Sequence, residues 1–151
     1  GMAAKLGLAG TALDPALIDD LLTIMKDHGV DWTSGFRALA DELRGNSTPL
    51  DSLAPREHTE PWLQRWRSAL THHGRGAAET ADAMDRVNPL YIPRNHQLDA
   101  ALVAATDGEL APFEKLLEVV THPFDRRDEW SDYTTPAPPS FSRTFQTFCG
   151  T

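Results

Sequence analysis

Apolar residues recur along most of this chain at the spacing of one helix face, and no stretch alternates apolar and polar residues as a half-buried strand would. A helix end is expected within residues 2–12, and a loop over 45–56. The predicted fold class is all-α, with about six short helices in a compact bundle and an extended Pro-rich C-terminal tail. The six helices are predicted at about 15–28, 33–44, 60–72, 77–87, 95–106 and 109–121.

Each predicted helix has an apolar stripe that we expect to face a core, because apolar residues three and four apart share one side of a helix. Aromatic residues at this spacing are interpreted as core rather than as a cofactor site. The residues expected to face inward are Leu17, Ile18, Leu21, Leu22 and Met25; Trp32, Phe36, Leu39, Ala40 and Leu43; Trp62, Leu63, Trp66, Ala69 and Leu70; Met84 and Val87; Leu98, Leu102 and Val103; and Leu110, Phe113, Leu116, Leu117 and Val120.

Several helix starts are marked by residues that cap free backbone N–H groups. Asp14 followed by Pro15 predicts an N-cap and a first helical residue. Asp31 or Thr33 is the expected cap of the next helix, and the third helix is expected to open at Thr59-Glu60-Pro61.

Residues 88–96 form a connector in which Pro89 and Pro93 exclude a continuous helix. Two interpretations of it remain open. In one it is a capped connector, with Asn95 as N-cap of the following helix and Arg94 bonded to carbonyls of neighbouring loops. In the other it is a recognition surface, in which Tyr91, Arg94 and Asn95 contact another domain.

The helical pattern ends near Pro123, so we predict a helical domain over 1–123 and an extended tail over 124–151. Thr134 to Pro139 is too rich in proline for a helix and is typical of polyproline-like chain. Phe141, Phe145 and Phe148 follow. Apolar aromatic residues in such a tail indicate that it docks on another surface.

Composition excludes several classes of protein. The 151 residues carry a net charge of −8, which argues against a nucleic-acid surface. The pairs Arg65/Arg67 and Arg126/Arg127 have acidic neighbours and are interpreted as solvated faces. No apolar run approaches the roughly 18 residues of a membrane span, and no signal peptide is predicted. A single cysteine excludes an internal disulfide and fits a reducing compartment, so we expect a bacterial cytoplasmic protein.

Motifs that would carry chemistry are missing from the sequence. The six histidines include no His-x-x-x-His pair and no paired cysteines accompany them, so no metal site is predicted. There is no Gly-x-Ser-x-Gly elbow and no kinase catalytic or Mg²⁺-binding motif. Cys149 is the one thiol, and the nearby terminal carboxylate disfavours its thiolate unless a cation such as Arg143 compensates.

The order of short motifs nevertheless resembles the C-terminal region of the selenoprotein O family. The resemblance extends from about Met2 to Thr151 and is looser between Gly45 and Ala83. The motifs that carry it are Lys5-Leu6-Gly7-Leu8, Asp31-Trp32-Thr33, Phe36-Arg37-Ala38-Leu39, Asn88-Pro89-x-Tyr91-x-x-Arg94-Asn95, Leu116-Leu117-Glu118-Val119, His122-Pro123-Phe124-Asp125, Tyr133 before the Pro-rich run, and Cys149.

The resemblance implies a kinase-like parent, a pseudokinase that transfers AMP from ATP to Ser, Thr or Tyr hydroxyls of protein substrates. ATP and Mg²⁺ would then be cofactors of the full-length protein, while none is expected on this chain, which holds no catalytic residue of the family. Cys149 matches the near-terminal position where animal members carry selenocysteine. A redox role and an inert tail thiol both remain open, and any disulfide would need a cysteine outside this chain.

Three hypotheses follow. The first is a non-catalytic C-terminal region of such an adenylyltransferase, whose partner is the missing N-terminal kinase-like domain. A docking face exposed in this fragment would then favour self-association. The second is a stand-alone helical interaction module without enzymatic activity. The third, ranked last, is a small thiol enzyme that uses Cys149.

Overall fold

The computed structural model describes residues 1–138, and over these residues the chain is all-helical with no strand. This confirms the predicted all-α class. The described helices are α1 (Met2–Lys5), α2 (Pro15–Asp27), α3 (Trp32–Leu43), α4 (Thr48–Leu53), α5 (Arg56–His73), α6 (Ala77–Asp85), α7 (Asn95–Thr106), α8 (Ala111–Val120) and a 3-10 helix (Asp128–Thr134).

Contacts between Cα atoms divide the chain into two compact units, Gly1–Pro89 and Leu90–Thr151, the second of which is described as far as residue 138. The division falls inside the connector. The sequence prediction placed a boundary at 123/124, where amino-acid composition changes, and that boundary stays a prediction.

The first unit is built on two tryptophans of α5. Trp62 and Trp66 stack with ring centroids 5.5 Å apart, and both side chains are buried. The indole N–H of Trp62 donates to the carbonyl of Leu17 at 2.8 Å, and that of Trp66 donates to the carbonyl of Leu6 at 2.9 Å. Because each indole joins an apolar body to one satisfied donor, the pair fixes α5 against α2 and against the end of α1.

Helix starts follow the predicted capping chemistry where the cap is local in sequence. The carboxylate of Asp14 accepts from the backbone N–H of Ala16 at 3.0 Å, and that of Asp31 accepts from Ser34 at 2.9 Å. Both caps satisfy an N–H group that has no partner within its helix. The prediction that Asp14 caps α2 is thereby confirmed, and Asp31 rather than Thr33 caps α3.

Two boundaries around residue 50 were predicted wrongly. The expected loop over 45–56 contains α4, which is held by the buried side chain of Leu50. Helix α5 begins at Arg56 rather than near residue 60, so Pro61 lies inside it. Pro61 is exposed, and the adjacent Trp62 is buried against the core. Tertiary packing of α5 therefore outweighs the backbone hydrogen bond that a proline cannot make.

Two residues of the first unit expected in the core are exposed. Val87 is 42% exposed because α6 ends at Asp85, before the helical stripe reaches it. Trp32 is 45% exposed although its ring still contacts that of Phe36, with centroids 5.0 Å apart. Trp32 is the first residue of α3.

The second unit has a small core of its own, built from Leu90, Tyr91, Val119 and Trp130. Helices α7 and α8 pack together, and the 3-10 helix packs on α8. That 3-10 helix lies where the sequence predicted extended chain, because its one buried side chain, Trp130, is enough to anchor it. Residues 135–138 are not helical, as predicted for the start of the Pro-rich run.

Candidate functional site

The connector begins at Asn88, whose side chain is 1% exposed. Its amide nitrogen donates to the carbonyl of Lys5 at 3.1 Å, and the Lys5 ammonium lies 3.3 Å from its amide oxygen. The backbone carbonyl of Asn88 accepts from Nε of Arg37 at 2.8 Å. Asn88 thus joins α1, α3 and the end of α6. We call Lys5, Arg37, Asp85 and Asn88 the Asn88 clasp.

Arg37 completes this clasp from α3. The side chain is buried, donates from Nη2 to the backbone carbonyl of Asp85 at 3.2 Å, and lies 3.3 Å from its carboxylate. The other carboxylate oxygen of Asp85 lies 2.8 Å from Arg44. Carbonyls at a helix C-terminus have no partner within the helix, so a guanidinium placed there both caps α6 and balances the Asp85 charge.

On the other side of Pro89, Tyr91 belongs to the core of the second unit. It is 2% exposed and meets Trp130 edge to face, with ring centroids 5.5 Å apart. Its hydroxyl oxygen accepts from the backbone N–H of Arg127 at 3.1 Å, and the Arg127 guanidinium lies 4.3 Å from the Trp130 ring centroid. Leu90 donates its N–H to the carbonyl of Pro123 at 2.7 Å. These contacts tie the connector to the chain that follows α8.

The remaining predicted connector residues differ in exposure. Arg94 is buried and stands at the N-cap of α7, while Asn95 is exposed and is the first helical residue. The prediction that Asn95 caps α7 was therefore wrong. Burial lowers the pKa of neighbouring His96, and the positive charge of Arg94 lowers it further. Contact of Tyr91, Arg94 and Asn95 with another domain stays a prediction, and Cys149 lies outside the described residues.

A second charged cluster is centred on Glu42, whose carboxylate is buried in the first unit. It accepts a two-pronged bond from Arg56, at 2.7 and 3.1 Å, and a third bond from Arg67 at 2.7 Å. The hydrogen bond from Arg56 is the main cause that holds the pKa of Glu42 below its ordinary value, against desolvation, which raises it. Arg56 and Arg67 also contact Glu60. The cluster ties α3 to α5.

Within residues 1–138, no group of three or more His, Cys, Asp or Glu side chains could hold a metal ion. The rings of His28 and His58 lie 4.9 Å apart, which makes a pair only. Over the same residues, no helix is long and apolar enough to cross a membrane.

The most unusual surface lies on α7 and α8. Five large apolar side chains that the sequence placed in the core are between 37% and 57% exposed, so that prediction was wrong for all five. Helix α8 buries Leu116 and Val119, and α7 buries Ala101. The five exposed side chains therefore lie on helix sides that do not face the core of the second unit. We call the five the hairpin face: Leu102, Val103, Leu110, Phe113 and Leu117.

Comparison with known proteins bears on both the clasp and the hairpin face. A family model described as "Protein adenylyltransferase SelO" matches residues 1–121, which include both features. The chain belongs to the SelO family. This confirms the resemblance that the sequence motifs indicated.

Members of the SelO family from several bacteria match the whole chain. A protein nucleotidyltransferase YdiU from Rhodococcus jostii (strain RHA1) is 83% identical over 151 residues, and the match covers 29% of that protein. The proteins of the same name from Mycobacterium sp. (strain KMS) and Cereibacter sphaeroides (strain KD131 / KCTC 12085) are 47% and 42% identical, and 30% of each is covered. The chain thus spans about 30% of the length of the curated relatives it matches.

Sequence reasoning found the SelO motif residues but not what they contact. Arg37 and Asn88 belong to separate motifs 51 residues apart in sequence, and the fold joins them by a hydrogen bond. A single buried arginine or asparagine carries no periodic signal, because the carbonyls and charged groups that it contacts lie far away in the sequence. The hairpin face carried a signal that was read as core, because an apolar stripe looks the same whether its own unit or another surface covers it.

Proposed function

We propose that this chain is the non-catalytic C-terminal helical region of a longer SelO-family adenylyltransferase, and that its role is structural. The observation that carries the proposal is the family match over a chain that spans only about 30% of relatives named protein nucleotidyltransferases. In support, the motif residues Arg37, Asn88 and Tyr91 form hydrogen bonds within this chain. Groups already committed to internal bonds are poorly placed to bind nucleotide phosphates.

In this proposal the catalytic work belongs to a kinase-like part that precedes this region. That part would bind ATP and Mg²⁺ and transfer AMP to hydroxyl groups of protein substrates. Phosphoryl-type transfer needs a phosphate-covering loop, a paired Lys and Glu, and acidic Mg²⁺ ligands, none of which the sequence offers. The helical region would then support that part, and Cys149 would be a candidate redox group at its end.

Calorimetry with Mg²⁺-ATP tests the proposal directly. The chain should show no binding at millimolar nucleotide, while the full-length Rhodococcus relative, run as the control, should bind. Micromolar binding to the chain alone would overturn the non-catalytic role, and Arg94 would be the first residue to substitute. Absence of binding to both proteins would instead contradict the assignment of ATP to the longer protein.

The redox role needs a separate experiment, because calorimetry does not report on it. In the longer protein we expect Cys149 to form a mixed disulfide or an internal one under oxidant, since this chain holds no second cysteine. Mass spectrometry after blocking free thiols identifies the bonded pair. A Cys149 that alkylates fully after oxidation would identify it as an inert thiol.

A further inference from the structure

We propose that the hairpin face is the surface by which this region packs on the rest of the longer SelO-family polypeptide, an inference that rests on the proposed function. Helices α7 and α8 are joined by the short connection 107–110, so they form a hairpin of neighbouring helices. Leu102, Val103, Leu110 and Phe113 all fall between residues 102 and 113, along the two helix ends that meet at this connection. The exposed apolar side chains are thus concentrated at one end of the hairpin.

Helix α8 is apolar on two sides. Leu116 and Val119 face the core of the second unit, whereas Leu110, Phe113 and Leu117 follow each other at intervals of three and four residues on another side. Such intervals place side chains in one line along a helix. A helix that is apolar on more than one side is typical of a position covered on more than one side. The described residues cover only the first of these sides.

The rest of the polypeptide is available as the occupant. More than two thirds of each relative's length lies outside the match to this chain. Single exposed apolar side chains are common on protein surfaces, but five large ones on one short hairpin form a cluster. Contiguous apolar patches of this kind mark interaction sites. Continuous chain places this partner at a high effective concentration, so even a modest surface suffices for docking.

Charge argues against a second copy as the occupant. Residues 95–120 hold a single cation, Lys115, which lies 3.2 Å from Glu118. Two copies joined through this face would bring acidic side chains together, and like charges across an interface oppose association. The partner surface should instead be apolar at its centre and basic at its edge. The acidic residues of the hairpin are Asp99, Asp107, Glu109, Glu114 and Glu118.

Hydroxyl-radical footprinting measures the proposed coverage at single side chains. The chain is grafted into the Rhodococcus relative in place of the region it matches, and oxidation is compared with that of the chain alone at equal radical dose. Phe113 and Leu117 should be oxidised several-fold more slowly in the long protein. Trp66, already buried, should be oxidised slowly in both proteins and serves as the internal reference.

A matched pair of substitutions tests whether that coverage stabilises the long protein. Val103→Glu places a charge in the hairpin face, and Val87→Glu makes the same change at another exposed valine, in the first unit. In the grafted protein Val103→Glu should lower the melting temperature by several degrees and restore fast oxidation of Phe113. In the chain alone it should leave helix content unchanged, and Val87→Glu should change little in either protein.

Three other outcomes overturn the inference. Equal oxidation in both proteins means that the face stays open. Protection in the chain alone that grows with concentration identifies a second copy, and protection lost on deletion of 139–151 identifies the chain's own terminal segment. Nucleotide binding is measured separately, so a covered face on a chain that binds Mg²⁺-ATP would refute the proposed function and leave the docking surface intact.

Discussion

Replacement of Arg37 by methionine isolates the energetic role of the Asn88 clasp. Methionine approximates the length and apolar stem of the buried arginine, so packing is largely kept while the guanidinium is removed. The variant loses the bond from Nε to Asn88 O, the bond from Nη2 to Asp85 O and the ion pair with the Asp85 carboxylate. The Asp85 carbonyl lies in the last turn of α6 and the Asn88 carbonyl lies in the connector just after it, so no N–H of α6 can replace the lost donor.

The expected magnitude follows from these contacts. A hydrogen bond from a charged donor contributes about 1.5–3 kcal/mol, and breaking a buried ion pair costs about 3–5 kcal/mol when the remaining partner stays buried. Here Asp85 keeps Arg44 as a partner and is 20% exposed, so the upper values do not apply. We expect Arg37→Met to lower the free energy of unfolding by about 3 kcal/mol.

Urea unfolding followed by far-ultraviolet circular dichroism measures the free energy of unfolding. Peptide-resolved amide hydrogen exchange shows which part of the chain is destabilised. Exchange should accelerate in peptides from residues 1–89 and remain unchanged within 95–120, because the clasp belongs to the first unit. Arg65→Met is the matched control: this arginine is 45% exposed and pairs with Asp20 on the surface, so its loss should cost no more than about 0.5 kcal/mol.

The reasoning would be refuted if Arg37→Met and Arg65→Met destabilised the chain equally. It would also fail if Arg37→Met accelerated exchange in both units alike, since the loss would then not be a local effect of the clasp. A variant that remains folded but exchanges faster only around α6 would show that the carbonyl bonds, rather than core packing, are the main contribution.

Three further predictions concern other parts of the chain. The hydrogen bond from Arg56 lowers the pKa of Glu42 in the folded state. The stabilisation that ionised Glu42 provides is therefore complete at pH values above the ordinary carboxyl pKa of 4.5, and it is lost as pH falls through the lower pKa of the folded state. Glu42→Gln should therefore cost about 2 kcal/mol at neutral pH and flatten the acid limb of a plot of stability against pH. Gly7→Ala should destabilise more than Gly10→Ala in thermal melts, since both positions have positive φ but only at Gly7 would a Cβ meet Thr80, at 2.5 Å. Tyr91→Phe should cost about 1 kcal/mol and accelerate amide exchange in residues 124–134, and an unchanged exchange pattern would contradict the role of its hydroxyl.

Local signals in the sequence predicted what depends on neighbouring residues. The N-caps at Asp14 and Asp31 depend only on the next three residues. The apolar stripe of α5 depends only on the spacing of residues within that helix. The extended connector follows from two prolines that cannot donate a backbone bond. Family membership also came from short motifs and their order, and the match over residues 1–121 confirmed it.

Short elements held by one buried side chain were missed. Helix α4 is held by the buried Leu50, and the 3-10 helix is held by Trp130 packed on Tyr91. Neither segment has enough residues to show a period, so its conformation depends on packing against other elements, α3 for α4 and Tyr91 for the 3-10 helix. The cap of α7 was assigned to Asn95 on side-chain preference, yet Arg94, with extended backbone and no side-chain cap bond, occupies that position and Asn95 is the first helical residue.

By itself, the sequence determined the all-helical class, most helix positions and the family, because these depend on local periodicity, capping and motif order. Only the tertiary structure decided which apolar stripes are covered and which polar motif residues are buried. The hydrophobic effect makes burial of apolar side chains favourable but does not determine which surface covers them. The apolar stripe of α5 is accordingly part of the core, while Phe113 and Leu117 are exposed. Likewise, Arg37 and Asn88 became structural residues only when folding brought a guanidinium to carbonyls that no helix could satisfy.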